Sequence, residues 1–126
     1  MKRLIPQNPF PQYLDSTNSD WILTQELIKA IRDESAKRGA KFLLVILPQR
    51  EYLNGSFNPI VYEKIEEFAT REKTQYINLL PEMTAFRWND LFYAEDGHFT
   101  PLGARLTAQA IFQVIQPWVA HEESPL

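Results

Sequence analysis

Residues 42–47, FLLVIL, are an uninterrupted apolar run set between Lys41 and Pro48. Six residues are far short of the roughly 20 that a membrane-spanning helix needs. β-branched Val45 and Ile46 favour an extended chain, and the absence of alternation predicts a strand, over 41–48, that is covered on both faces. Strands of that kind belong to parallel sheets, whose neighbours are joined by crossover helices rather than hairpins. This stretch therefore points to a layered α/β domain with flanking helices.

The rest of the chain supplies the helices and a second strand. Ser16 to Asp20 offer N-cap residues, Leu23, Leu27, Ala30 and Ile31 follow as a helical stripe, and Gly39 marks the stop. QREYLNGSFN (49–58) reads as a polar loop with an Asn-Gly turn, beyond the carboxyl end of the first strand, where open α/β sheets place ligands. Asn58 and Pro59 open a second helix with Val61, Ile65, Phe68 and Ala69 on its buried side, ending near Lys73. Gln75–Leu80 is a second strand. The last helix is expected from Pro101 to about Gln116, with apolar rows broad enough to touch more than one neighbour. Helix, strand, helix, strand, helix describes a partial flavodoxin-like three-layer fold with a short parallel sheet.

Composition narrows the function classes. At 126 residues and 44% hydrophobic content the chain is one domain with a sizeable core. A formal net charge of −3 with no basic face argues against nucleic-acid binding. The absence of cysteine excludes disulfides and thiolate chemistry. MKRLIPQNPFPQYL starts like a signal peptide, but Pro6, Pro9 and Pro11 interrupt any apolar core. Residues 1–19 are read as an extended Pro-rich arm, 20–120 as the domain and 121–126 as a polar tail. With no signal peptide or membrane span, the chain as written is expected to be cytoplasmic.

The chemistry is expected in YAEDGHFTPLGARLTAQA (93–110). Thr100 suits an N-cap, and Pro101 suits the first helical position, where its missing N–H costs nothing. His98 thus lies in the loop that leads into a helix. Asp96 stands two residues before it and Glu95 three, and either carboxylate is close enough to orient the imidazole. That is half of the machinery a hydroxyl nucleophile needs. The plain structural alternative is an Asp-Gly turn beside a helix N-terminus, where an acid complements the dipole.

The Asp-Gly-His loop before a Gly-containing last helix resembles the final block of the SGNH (GDSL) hydrolase family, in which a late Asp and His act with an early Ser. KFLLVILP and YINLLP stand ahead of it in the family's order. The resemblance runs from about Trp21 to Trp118 and corresponds to the C-terminal half of a family member, without the Gly-Asp-Ser block. It implies Asp96 and His98 as catalytic residues, with Asp96 preferred over Glu95 because Asp-Gly-His followed by Thr-Pro-x-Gly matches the shorter spacing seen in polysaccharide O-acetyltransferase relatives. The Gly-x-Asn oxyanion block is missing, and neither Asn54 nor Asn89 stands in its place.

Other candidates are weaker. Of Ser16, Ser19, Ser35, Ser56 and Ser124, only Ser56, in the loop after the first strand, is placed for recruitment; Ser19 reads as a cap and Ser35 as helix surface. Phe86, Trp88, Phe92 and Tyr93 form a sugar-stacking platform or, more simply, core packing. Glu95, Asp96 and His98 make a poor zinc set, since all three come from one loop, and His121 belongs to the polar tail. No metal and no cofactor is implied. Two functions follow: a truncated, SGNH-like Asp-His half of an esterase or acyltransferase acting on an ester or O-acetylated carbohydrate, inactive alone, or a non-catalytic α/β binding or oligomerisation module. A two-strand sheet leaves apolar edges, so a homodimer or a complex with a Ser-bearing half is expected.

Overall fold

The structure is a computed structural model that describes residues 5–122. It contains a parallel pair of strands, β1 (Leu44–Ile46) and β2 (Tyr76–Asn78), with Leu44 opposite Tyr76, Val45 opposite Ile77 and Ile46 opposite Asn78. Around them run α1 (Ser19–Lys37), α2 (Arg50–Leu53), α3 (Ile60–Arg71), α4 (Leu80–Met83), α5 (Trp88–Leu91) and α6 (Pro101–Glu122). Both strands are shorter than the stretches 41–48 and 75–80 expected for them, and Leu80 already begins α4.

Alternate strand residues point to opposite faces, and that alternation makes the layers. Leu44, Ile46 and Tyr76 pack into one core with Tyr52, Val61, Tyr62 and Leu80. Val45 and Ile77 pack into the other, with Leu79, Met83, Leu91, Phe92 and Ala110. Side chains of α3 therefore fill one face of the sheet and those of α5 and α6 the other, which is a small three-layer α/β arrangement. The strand faces are only partly covered, with Ile46 the one buried residue of β1.

Helix α1 starts where the Asn18 side chain accepts from the backbone N–H groups of Asp20 and Trp21 at 3.0 and 3.1 Å, so the cap is Asn18 and Ser19 is the first helical residue. Gly39, at φ +73°, closes it. The helix docks through Trp21, whose ring meets Tyr13 at 4.7 Å and Phe68 at 5.8 Å between centroids. Phe68 is 1% exposed, and burying a side chain of that size stabilises by about 3 kcal/mol. Arg32 adds a polar tie, donating to the Glu72 carbonyl and to the buried Thr74 hydroxyl, both at 2.8 Å. The stripe of Leu23, Leu27 and Ile31 points the other way and stays more than half exposed.

Three further departures from the sequence reading stand out. Residues 49–58 are not all loop, because α2 forms within them and buries Tyr52. The Pro-rich N-terminal stretch is tied down: Gln7 donates to the Ser56 carbonyl at 3.0 Å and accepts from the Asn58 N–H at 2.7 Å, and a 3-10 turn follows at Pro11–Leu14. Helix α6 runs on through Pro117 to Glu122, so the backbone of His121 is helical. Ser124 lies outside the described residues. Among the described residues no helix is long and apolar enough to cross a membrane.

Tyr62 is 5% exposed. Its hydroxyl donates to the Leu47 carbonyl at 3.2 Å and accepts from the Gln49 N–H at 3.3 Å, just past the end of β1. Burial pushes the phenol up from its ordinary value to about 12, and burial raises Tyr52 as well. A phenol with a raised folded-state pKa stabilises fully below its unfolded value near 10, and the contribution is lost as pH rises toward 12. The free energy of unfolding should accordingly fall between pH 10 and 12, by on the order of 2 kcal/mol for Tyr62. Urea melts at pH 8 and 11.5 test this, and the fall should shrink in Tyr62→Phe.

Candidate functional site

The loop that holds Asp96 and His98 is built from the ends of α5 and α6. Phe92 and Phe99 form an antiparallel bridge, with rings 4.8 Å apart, and Phe92 is anchored in the second core. The Thr100 N–H donates to the Leu91 carbonyl at 2.8 Å, and its hydroxyl donates to the Asp90 carbonyl at 2.5 Å. The same hydroxyl accepts from the Gly103 N–H at 3.3 Å, so Thr100 caps α6 as its sequence setting implies. Residues 93–98 are left as a short loop between two fixed ends.

Within the loop, the Tyr93 N–H donates to the His98 carbonyl at 2.9 Å and the Gly97 N–H to the Tyr93 carbonyl at 3.2 Å. Gly97 sits at φ +72°, a left-handed conformation that costs a side-chain-bearing residue about 1 kcal/mol or more. That turn folds Asp96 back on His98. One Asp96 oxygen accepts from the His98 backbone N–H at 3.0 Å, and the other lies 3.2 Å from His98 Nδ1.

These contacts set the electrostatics. The His98 backbone N–H, then its ring, hold the Asp96 carboxyl below the ordinary carboxylate range, with Arg50 adding a smaller push the same way. Asp96 is thus an anion across neutral pH. An anionic partner at Nδ1 favours the tautomer with its proton there, leaving Nε2 as the free base. Asp96 and His98 are 57% and 81% exposed at the side chain, so the pair stands in the open rather than in a dry cleft.

The loop lies at the carboxyl end of the sheet. Arg50, four residues after the end of β1, donates from Nη1 to the carbonyls of Tyr93, at 3.4 Å, and of Ala94. Sequence reasoning missed Arg50, because nothing in QREYLNGS distinguishes a loop-holding arginine from a solvated one.

The remaining candidates separate from the pair. Glu95 is exposed, and among the described residues it makes no ion pair with His98. The Ser56 backbone is tied to other segments, its N–H donating to Asn54 Oδ1 at 2.9 Å and its carbonyl accepting from the Gln7 N–H at 3.0 Å. Among the described residues no hydroxyl is hydrogen-bonded to the His98 ring. The aromatics Phe86, Trp88, Phe92 and Tyr93 split, with Phe92 in the core, Trp88 half-buried and Phe86 and Tyr93 exposed.

A family model described as an SGNH hydrolase-like domain, acetyltransferase AlgX, matches residues 15–125. No curated protein matches the chain. No solved structure does either.

Proposed function

Starting from a chain that belongs to the AlgX-type SGNH hydrolase-like domain family, we propose that Asp96 and His98 are the acid–base part of an acyl-transfer site. The substrate class is an ester or an O-acetylated carbohydrate. The observation that carries this reading is the 3.2 Å approach of an Asp96 carboxylate oxygen to His98 Nδ1 at the carboxyl end of the sheet.

The chemistry follows from that contact. A hydroxyl nucleophile attacks the acyl carbonyl while His98 Nε2 takes its proton. The tetrahedral intermediate collapses, and the same nitrogen returns the proton to the departing alkoxide. Asp96 keeps the ring in the tautomer that can do this and stabilises the imidazolium that forms.

The hydroxyl and its oxyanion donors come from a Ser-bearing segment of the same fold type, which completes the site and extends the sheet. Two observations support this. His98 has no hydroxyl partner among the described residues. The pair β1–β2 also leaves unpaired edges, while Leu23, Leu27 and Ile31 of α1 and Leu47 next to β1 expose apolar surface that association would cover.

Covalent labelling tests the proposal. Treated with a fluorophosphonate and digested, these 126 residues alone should show no stoichiometric serine adduct. Adding the Ser-bearing segment should give labelling of that segment's serine, lost in His98→Ala. Stoichiometric labelling of Ser56 that is lost in His98→Ala would instead mean a triad complete within this chain. Labelling indifferent to His98 would leave the non-catalytic module as the better reading.

A further inference from the structure

We propose that Arg50 is the positioning residue of the Asp96–His98 pair, holding the loop in its working shape through two backbone carbonyls. The inference rests on the acid–base reading above and goes beyond it, since Arg50 lies 46 residues before Asp96 in sequence and on a different element.

Three observations converge on Arg50. First, its Nη1 donates to the carbonyls of Tyr93 and Ala94, the residues that lead into Glu95 and Asp96. Second, a Cβ placed on Gly97 would stand 3.9 Å from Arg50 Nε and 4.0 Å from its Cζ, so the guanidinium lies against the turn that folds Asp96 back. Third, among the described residues every other hydrogen bond made by 93–98 stays inside those six residues. Among the described residues, Arg50 is the loop's one hydrogen-bonded link to the segment that follows β1.

The side chain is itself held. Arg50 Nε pairs with Glu51 Oε1 at 3.0 Å, and both side chains are about 30% exposed. A planar guanidinium with donors in a fixed fork can face Glu51 with one edge and the loop carbonyls with another, whereas a lysine ammonium offers a point charge on a flexible stem. Bonds from a cation to carbonyls are also stronger than neutral ones.

Arg50 makes no ion pair with Asp96 among the described residues, so it works through the backbone, with its charge as a secondary effect. The charged groups around Asp96 are His98 and Glu95 from its own loop and Arg50, neutralised in part by Glu51, from α2. Removing Arg50 frees residues 93–96 to move away from the sheet and loosens the Asp96–His98 contact. A misplacement of a catalytic pair by about 1 Å can lower rate by up to about 100-fold.

The test uses Arg50→Ala and Arg50→Lys in the whole chain, with urea melts confirming that each is folded. Nitrogen NMR of the His98 ring near pH 8.5, carboxyl NMR of Asp96 across its titration and amide spectra of 94–98 are the readouts. In Arg50→Ala, the Asp96 carboxyl should titrate at higher pH, the share of Nδ1-protonated His98 should fall and the amides should shift. Arg50→Lys should recover part of the Asp96 titration and little of the amide pattern. If Arg50→Ala is folded and leaves all three readouts at wild type, the proposal is wrong. These measurements need no nucleophile, so they separate from the catalytic reading: NMR changes together with fluorophosphonate labelling that ignores His98 would keep the positioning role and remove the acyl-transfer one.

Discussion

His98→Ala should lower acyl transfer by the Ser-completed site about 10⁴- to 10⁶-fold, and Asp96→Asn about 10⁴-fold. The two differ because alanine removes the base itself, whereas asparagine keeps the shape but offers no anion to hold the proton on Nδ1. Double substitution should cost little more than His98→Ala alone, since the two groups act as a unit. Both side chains are largely exposed, so neither change should move the melting temperature appreciably. Fluorophosphonate labelling rates, measured beside thermal melts, make the comparison. A loss smaller than tenfold for His98→Ala in a folded protein would rule out the acid–base role.

The second large effect concerns Gly103, and here two physical terms oppose each other. By helix propensity alone, Gly103→Ala should stabilise α6 by about 1 kcal/mol. A Cβ at that position, however, would stand 2.5 Å from the Leu91 carbonyl oxygen, 2.7 Å from Phe99 Cδ1 and 3.2 Å from Phe99 Cβ. Backbone oxygen cannot swing aside as a long side chain can, and the Leu91 carbonyl also accepts from Thr100. Overpacking of this kind costs about 1 to 3 kcal/mol, and because the closest clash is with backbone oxygen, contact outweighs propensity and Gly103→Ala should destabilise by up to about 2 kcal/mol net. Gly103→Val should cost more. Urea denaturation with an unchanged slope is the measurement, and a raised midpoint for Gly103→Ala would show that α6 sits farther from α5 than the structure has it. Because Thr100 and Phe99 anchor the His98 loop, a folded Gly103→Ala should also perturb the His98 ring signals.

Local signals in the sequence were sufficient for several elements. FLLVIL read as a strand because a short apolar run with β-branched Val45 and Ile46 suits one, and the observed β1 (Leu44–Ile46) lies inside it, although its faces are only partly covered; the second strand, expected over Gln75–Leu80, is Tyr76–Asn78, with Leu80 already in α4. Val61, Ile65, Phe68 and Ala69 read as the buried side of α3 because the 3.6-residue period is independent of context; Val61, Phe68 and Ala69 are buried and Ile65 is partly buried. Thr100-Pro101 read as a helix start because capping is settled within three residues. Asp96 and His98 could be put within reach of each other for the same reason: their contact spans two residues and one glycine turn. The likeness to the SGNH family was also legible in the chain, and the family match covers residues 15–125.

Other features depended on which element meets which. Periodicity marks a stripe on α1, but it cannot say that Trp21 docks on Phe68 while Leu23, Leu27 and Ile31 face away. The choice follows from packing with α3. The Phe86–Tyr93 aromatics looked like one group and divide because only Phe92 lies over the second core. Arg50 is ordinary in sequence; its link to Tyr93 and Ala94 exists only because the β1 end and the α5–α6 loop meet at one end of the sheet. The need for glycine at position 103 arises likewise from the approach of α5 to α6. Contacts within a few residues are dictated by covalent geometry and hydrogen-bond reach, so the chain alone determines them. Contacts between residues dozens of positions apart depend on how the layers pack, and there the tertiary structure decides.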